Sequence, residues 1–166
     1  MEDKGWLGDN KGYVSAIAIA LITVAAIVVG YYVWFRGTPE GYSTISLLDA
    51  NGKAENYPNL LILNQNNTFT VSVNVENHMG KTLAFEVKVK VTQQTTPDFP
   101  APEAPQNVYS VTLANGKTWS ILATTTINTT GSCMVVYELW AQDLITGELQ
   151  FTDNVCVLNV DVENPT

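Results

Sequence analysis

Basic residues are scarce in this chain, and so are the residues that usually carry chemistry. Eight Lys and Arg stand against 16 Asp and Glu, with one histidine and two cysteines among 166 residues. Phosphate binding needs clustered Lys and Arg, so this balance excludes a nucleic-acid partner. A single histidine without clustered thiols makes no zinc site. The G-x-S-x-G, P-loop, H-E-x-x-H and G-x-G-x-x-G patterns are all absent. No catalytic residue, no metal and no cofactor is therefore expected, and the chain reads as non-enzymatic.

The few candidates that do exist have plain explanations. His78 falls in the stretch Asn77–Gly80, expected to be a solvated turn. The segment Asp49 to Glu55 lacks the ligand spacing of a calcium loop and reads as a hairpin turn around Asn51-Gly52. Asp161 and Glu163 share one face at the end of a strand, where solvent suits them.

Charge is unevenly spread. Up to Arg36, Lys4, Lys11 and Arg36 balance Glu2, Asp3 and Asp9. Beyond it, five lysines (53, 81, 88, 90, 117) face thirteen carboxylates, which places the whole net charge of −8 there. Such an acidic surface keeps a protein soluble and disfavours anionic lipid heads.

What is present is a long oily run. From Tyr13 to Phe35 there is no charged residue; as a helix the run spans roughly 35 Å, enough for a bilayer core that needs about 20 apolar residues. A soluble core helix would keep a polar stripe. A secretory signal would have a shorter apolar region of about 7–15 residues after a positive start. The run therefore reads as a membrane-spanning helix, with lipid as its partner. Tyr13 at one end and Tyr31, Tyr32, Trp34 and Phe35 at the other suit the two interfaces. Ala16/Ala20 and Ala26/Gly30 have the spacing that lets helices approach closely. Gly37-Thr38-Pro39 ends the helix.

After the break the hydrophobic period becomes two. Phe69, Val71, Val73 and Val75 alternate with polar residues, as do Leu83, Phe85, Val87, Val89 and Val91. Strands are expected near 42–48, 67–76, 81–92, 107–113, 117–127, 133–142 and 149–162. About seven antiparallel strands in this length imply a mainly β fold, an immunoglobulin-like β-sandwich. The expected division is a short N-terminal segment 1–12, a span 13–36, a linker 37–41 and a sandwich 42–166. The proline-rich stretch 95–106 is excluded from a central strand and reads as a crossover between sheets or an end loop.

Two sequons, at Asn66 and Asn128, lie after the span, as do both cysteines. They argue for a cell-membrane protein with its C-terminal part outside. Cys133 and Cys156 flank a turn near Asp143–Gly147 and are expected to pair as a disulfide in that oxidising setting. Phe151 and the later set Cys156, Leu158, Val160 and Val162 fall on opposite phases, which a bulge near Asp153-Asn154 would reconcile.

Two resemblances add to this. The motif Gly52-Lys53-Ala54-Glu55-Asn56-Tyr57-Pro58, the strand Asn67-Thr68-Phe69-Thr70-Val71, Gly131 and the strand Val136–Trp140 resemble the external domain of an archaeal membrane-protein family of unknown function. The likeness spans most of residues 42–160 and implies an anchor, an external β-domain and no known activity. Lys11-Gly12 before the apolar run resembles the leader site of archaeal type IV pilins and archaellum proteins, although the leader here is acidic. That resemblance implies cleavage between Gly12 and Tyr13 and packing of helices in a filament core. The expected function is a cell-surface structural or protein-protein interaction role, with an S-layer or like subunits as partners; the alternative is a homo-oligomeric filament subunit or accessory component.

Overall fold

The computed structural model describes residues 11–34 and 40–165. The expected segment 1–12 as far as Asn10, the last two residues of the expected span (Phe35 and Arg36) and the linker as far as Pro39 lie outside the described residues. The chain divides into two units between Glu40 and Gly41.

The first unit holds helix α1, Lys11–Trp34. Over Tyr13–Trp34 it has a mean hydropathy of 2.5, and none of it is buried against protein. It is apolar on every side, so no face is marked for a protein core. Its β-branched residues are mediocre helix formers in water. An apolar solvent changes that balance, because every backbone group must then be bonded within the segment. The Thr23 hydroxyl follows the same rule by donating to the Ile19 carbonyl at 2.9 Å.

The second unit is a two-layer sandwich of immunoglobulin-like type. Its strands are β1 (Tyr42–Leu48), β2 (Leu60–Ile62), β3 (Thr68–His78), β4 (Leu83–Thr92), β5 (Asn107–Leu113), β6 (Lys117–Thr126), β7 (Gly131–Gln142) and β8 (Leu149–Glu163). One sheet runs β1-β3-β6 and the other β2-β8-β7-β4-β5. All pairings are antiparallel except β2 with β8. Alternation places Val71, Val73 and Val75 of β3 and Phe85, Val87 and Val89 of β4 inside, with Val135, Tyr137 and Leu139 of β7; none of these has exposed surface. Each such side chain contributes roughly 1.5–3 kcal/mol by leaving water.

Seven strands lie where the period-two pattern puts them. The eighth, β2, is three residues long and is held by its neighbours, with the Asp161 amide donating to the Asn59 carbonyl and the Leu63 amide to the Glu163 carbonyl. The turn at Asp49 is not a hairpin: β1 and β2 belong to different sheets. Asp49 instead organises the loop by accepting from the Asn51 and Lys53 amides. The stretch 95–106 is no crossover either, because β4 and β5 are neighbours in one sheet.

The expected disulfide is corrected. Cys133 stands opposite Val160 and Cys156 opposite Tyr137. The thiols are thus offset by four residues, about 13 Å along the ladder, outside disulfide reach, and both are free. Half of the offset comes from the turn, whose register sets Gln142 opposite Leu149; the other half comes from the irregularity between the Glu138–Val155 and Trp140–Phe151 pairs, where β8 runs two residues longer than β7, with Asp153 at a φ of 59°. The bulge is where it was expected. It adds residues in a pair, so it does not flip the phase: Phe151 lies on the outer face against Trp140, ring centroids 5.5 Å apart.

Candidate functional site

Three regions of the sandwich carry more than packing. The first is a groove of about 630 Å³ at the end where the chain enters β1. Its walls include Gly41, Tyr42 and Met79 on one side and Asp143, Thr146, Glu148 and Phe151 on the other. The Lys81 ammonium bonds the Asp143 carboxylate across it. That hydrogen bond holds the Asp143 carboxyl below the usual carboxylate range, helped by the Ile145 amide. His78 is the last residue of β3 rather than part of a turn; its ring stacks on Tyr42 at 4.7 Å and lies 3.2 Å from the Glu76 carboxylate.

The second region is the outer face of the five-stranded sheet. The proline-rich loop folds back over it and buries a charged pair, Lys90 and Glu138, at 2.9 Å. Lys90 donates to the Ala101 carbonyl, while Glu138 accepts from the Ala101 amide and, at 3.1 Å, from the Trp140 indole. Thr92 bonds Glu103 of the same loop, whose other carboxylate oxygen is buried without a partner. Lys88 lies 3.8 Å from the Trp140 ring centroid. Each charge of the pair is compensated and hydrogen-bonded, the condition under which a buried ion pair is tolerated. The arrangement straps the loop to the sheet, and sequence reasoning did not find it. The available signal was β7 itself, where Met134, Val136, Tyr137 and Leu139 are apolar on both phases, as a strand covered on both sides should be.

The third region is the pair of edges of the three-stranded sheet. On β1, the Ile45 carbonyl accepts from the Cys156 thiol at 3.4 Å and the Leu47 carbonyl from the Tyr57 hydroxyl at 2.8 Å. On β6, the Thr124 carbonyl accepts from Asn107 and its amide donates to the Tyr109 hydroxyl. Side chains from the opposite sheet and from the loop after β1 thus occupy backbone groups that an added strand would need. Burial pushes the Cys156 thiol pKa up, so it stays protonated as a donor.

The remaining sequence-predicted residues are spread apart. Asn66 and Asn128 are exposed at the end opposite the groove, and Asn67 bridges to Asn128 at 3.1 Å. Ala16, Ala20, Ala26 and Gly30 fall in one arc of α1, about 120° wide at 100° per residue. Gly12 and Tyr13 lie within the first turn of α1. Among the described residues no group of three His, Cys, Asp or Glu could hold a metal ion.

Residues 37–157, nearly the whole sandwich, match the family described as a domain of unknown function, DUF1616. The chain belongs to the DUF1616 family. The DUF1616 match begins after α1, so the family likeness rests on the β-domain. No curated protein matches the chain. Among solved structures, the CARDB domain of a Pyrococcus furiosus protein is similar at 16% identity and a TM-score of 0.48, covering 75% of this chain and 97% of that one. A crystal structure of the same domain with di-metal ions gives 14% identity and 0.49, covering 76% and 96%. A β-glucosidase from Listeria innocua gives 13% and 0.48, covering 78% of this chain; the chain spans only 17% of that enzyme's length.

Proposed function

We propose that this DUF1616 protein is a non-enzymatic, single-pass protein of the cell membrane whose β-domain stands outside and makes structural or protein-protein contacts at the surface. The observation that carries this reading is the partition of the chain. A helix long and apolar enough to span lipid, with no protein-covered face, precedes a domain that closes its own core. The acidic surface and the exposed sequons at Asn66 and Asn128 suit a head in water. The partners are other surface proteins, an S-layer or like subunits. The test is alkaline carbonate extraction with protease digestion of intact cells. The chain is expected to stay with the membrane and to lose its head to external protease; release by carbonate, or full protection of the head, refutes the proposal.

A second reading is supported by the single arc of small residues on α1. Ala16, Ala20, Ala26 and Gly30 on one side would let copies of α1 pack closely, as in the core of a pilus or archaellum-like filament. N-terminal sequencing of sheared surface material decides it: a start at Tyr13 supports a filament subunit, and a chain that retains Met1 in the membrane removes it.

A further inference from the structure

Hairpin tips are ordinarily polar, because Gly, Asn, Asp and Ser satisfy turn geometry and stay wet. The β7–β8 tip instead presents Leu144 and Ile145, which are 54% and 93% exposed. Ile145 is the most exposed large apolar residue of the β-domain. Scattered apolar residues on a surface need no explanation, but these two are adjacent and held in place. The Ile145 amide donates to the Asp143 carboxylate at 2.8 Å, the Gly147 amide to the Asp143 carbonyl at 2.7 Å, and Gln142 bonds the Gly147 carbonyl. Lys81 fixes the same carboxylate from the β3–β4 connection. The turn is thus braced from both sides, and the bracing turns both apolar side chains outward.

The position of this tip is informative. Gly41 and Tyr42, where the chain enters the β-domain, wall the same groove as Asp143 and Thr146. Seven residues separate Trp34 from Tyr42, and whatever their path they reach at most about 27 Å. Tyr42, 55% exposed beside the entry, is a residue type that favours the lipid-water boundary.

We infer that the Leu144-Ile145 tip is a second membrane contact, dipping into the headgroup region of the bilayer that α1 crosses. The inference rests on the membrane reading of α1. The partner is lipid, recognised by apolar contact rather than by charge, because Lys81 beside the tip is already matched by Asp143. The contact therefore needs no anionic headgroup. Such a contact holds the entry end of the β-domain at the bilayer surface.

The test uses the full chain in phosphatidylcholine vesicles with Cys156→Ser, which keeps a donor to Ile45; Cys133 is only 3% exposed. A nitroxide is placed through Ile145→Cys or, at the opposite end, Asn128→Cys. Relaxation by oxygen is expected to exceed that by a water-soluble nickel chelate at 145, and the order is expected to reverse at 128. A label at 145 that behaves like the one at 128, in protein that resists carbonate extraction, overturns the tip contact and leaves the span standing. Protein that carbonate releases overturns both. A Leu144→Ser/Ile145→Ser pair, with the head's melting temperature unchanged, is expected to loosen the orientation of the 128 label; unchanged orientation counts against the contact.

Discussion

Helix α1 and strand β3 both carry β-branched aliphatic residues and treat them in opposite ways. Val24 and Ile27 of α1 are 58% and 65% exposed, whereas Val71, Val73 and Val75 of β3 have no exposed surface. The difference lies in pattern. Alternation with Thr70, Ser72 and Asn74 gives β3 one dry face and one wet face, which a second sheet can cover. The unbroken run of α1 has no wet face, so nothing within a small domain can enclose it. Hydrophobicity alone does not decide where a residue goes; its spacing does, giving β3 a face that a second sheet covers and α1 no protein-covered face at all.

The sharpest way to break the comparison is to put the same charge in both places. Val73→Asp buries an unpaired carboxylate and costs several kcal/mol, a large part of the stability of a domain this size; loss of the head's cooperative thermal transition is the expected result. Ile22→Asp in α1 should leave that transition unchanged. Near the bilayer centre it costs about 2.5–3.5 kcal/mol and shifts protein out of the carbonate-resistant fraction. Equal melting losses from both substitutions would show that the two regions share one core.

A smaller effect is expected at the strap. Glu138→Ala strands Lys90 beneath the proline-rich loop and should destabilise the head by about 3–5 kcal/mol. The loop 95–106 should become the first site of limited proteolysis. Replacing both charges, Lys90→Met with Glu138→Leu, should recover much of the loss, which denaturant melts would measure.

Titration separates the interior from the surface more gently. Burial pushes the Tyr137 hydroxyl up to about 12. Its pKa is higher folded than unfolded, so its contribution is intact below about pH 10 and is lost as pH rises toward about 12. Tyr137→Phe should flatten that alkaline decline in thermal melts. Asp143 works the other way and is the smallest effect. Its depressed pKa favours the fold above the ordinary carboxylate range, and that benefit disappears as pH falls through the folded value. Asp143→Asn should reduce the acid dependence slightly, with the core untouched.

Much of this fold was readable in the sequence because strands with one dry face announce themselves. The residues of β1 and β5 could be bounded at both ends from alternation and turn residues. β2 could not, since three residues carry no period and its pairing depends on where β8 arrives. The cysteine pairing failed for a related reason: counting outward from the β7–β8 turn needs both the register of the turn and equal strand lengths, and the Gln142–Leu149 pair and the bulge at Asp153 each shift that count by two. The strap was hidden because Lys90 and Glu138 occupy outward phases, where charge is normal. Only the loop folding back makes them interior, and the prolines excluded a strand there without saying what the loop would cover. At the groove end, Leu144 and Ile145 were visible as letters in a turn, but the bracing by Asp143 and Lys81 that holds them outward depends on the fold.

The plugged edges of the three-stranded sheet have a consequence for crowding. On the proposed membrane anchor, copies would meet at high local concentration, where open backbone ladders zip neighbours into ribbons. With Tyr57 and Cys156 occupying β1, and Asn107 and Tyr109 occupying β6, heads can jostle without sharing strands through this sheet. Contacts made there must be cemented by side chains, and so remain reversible.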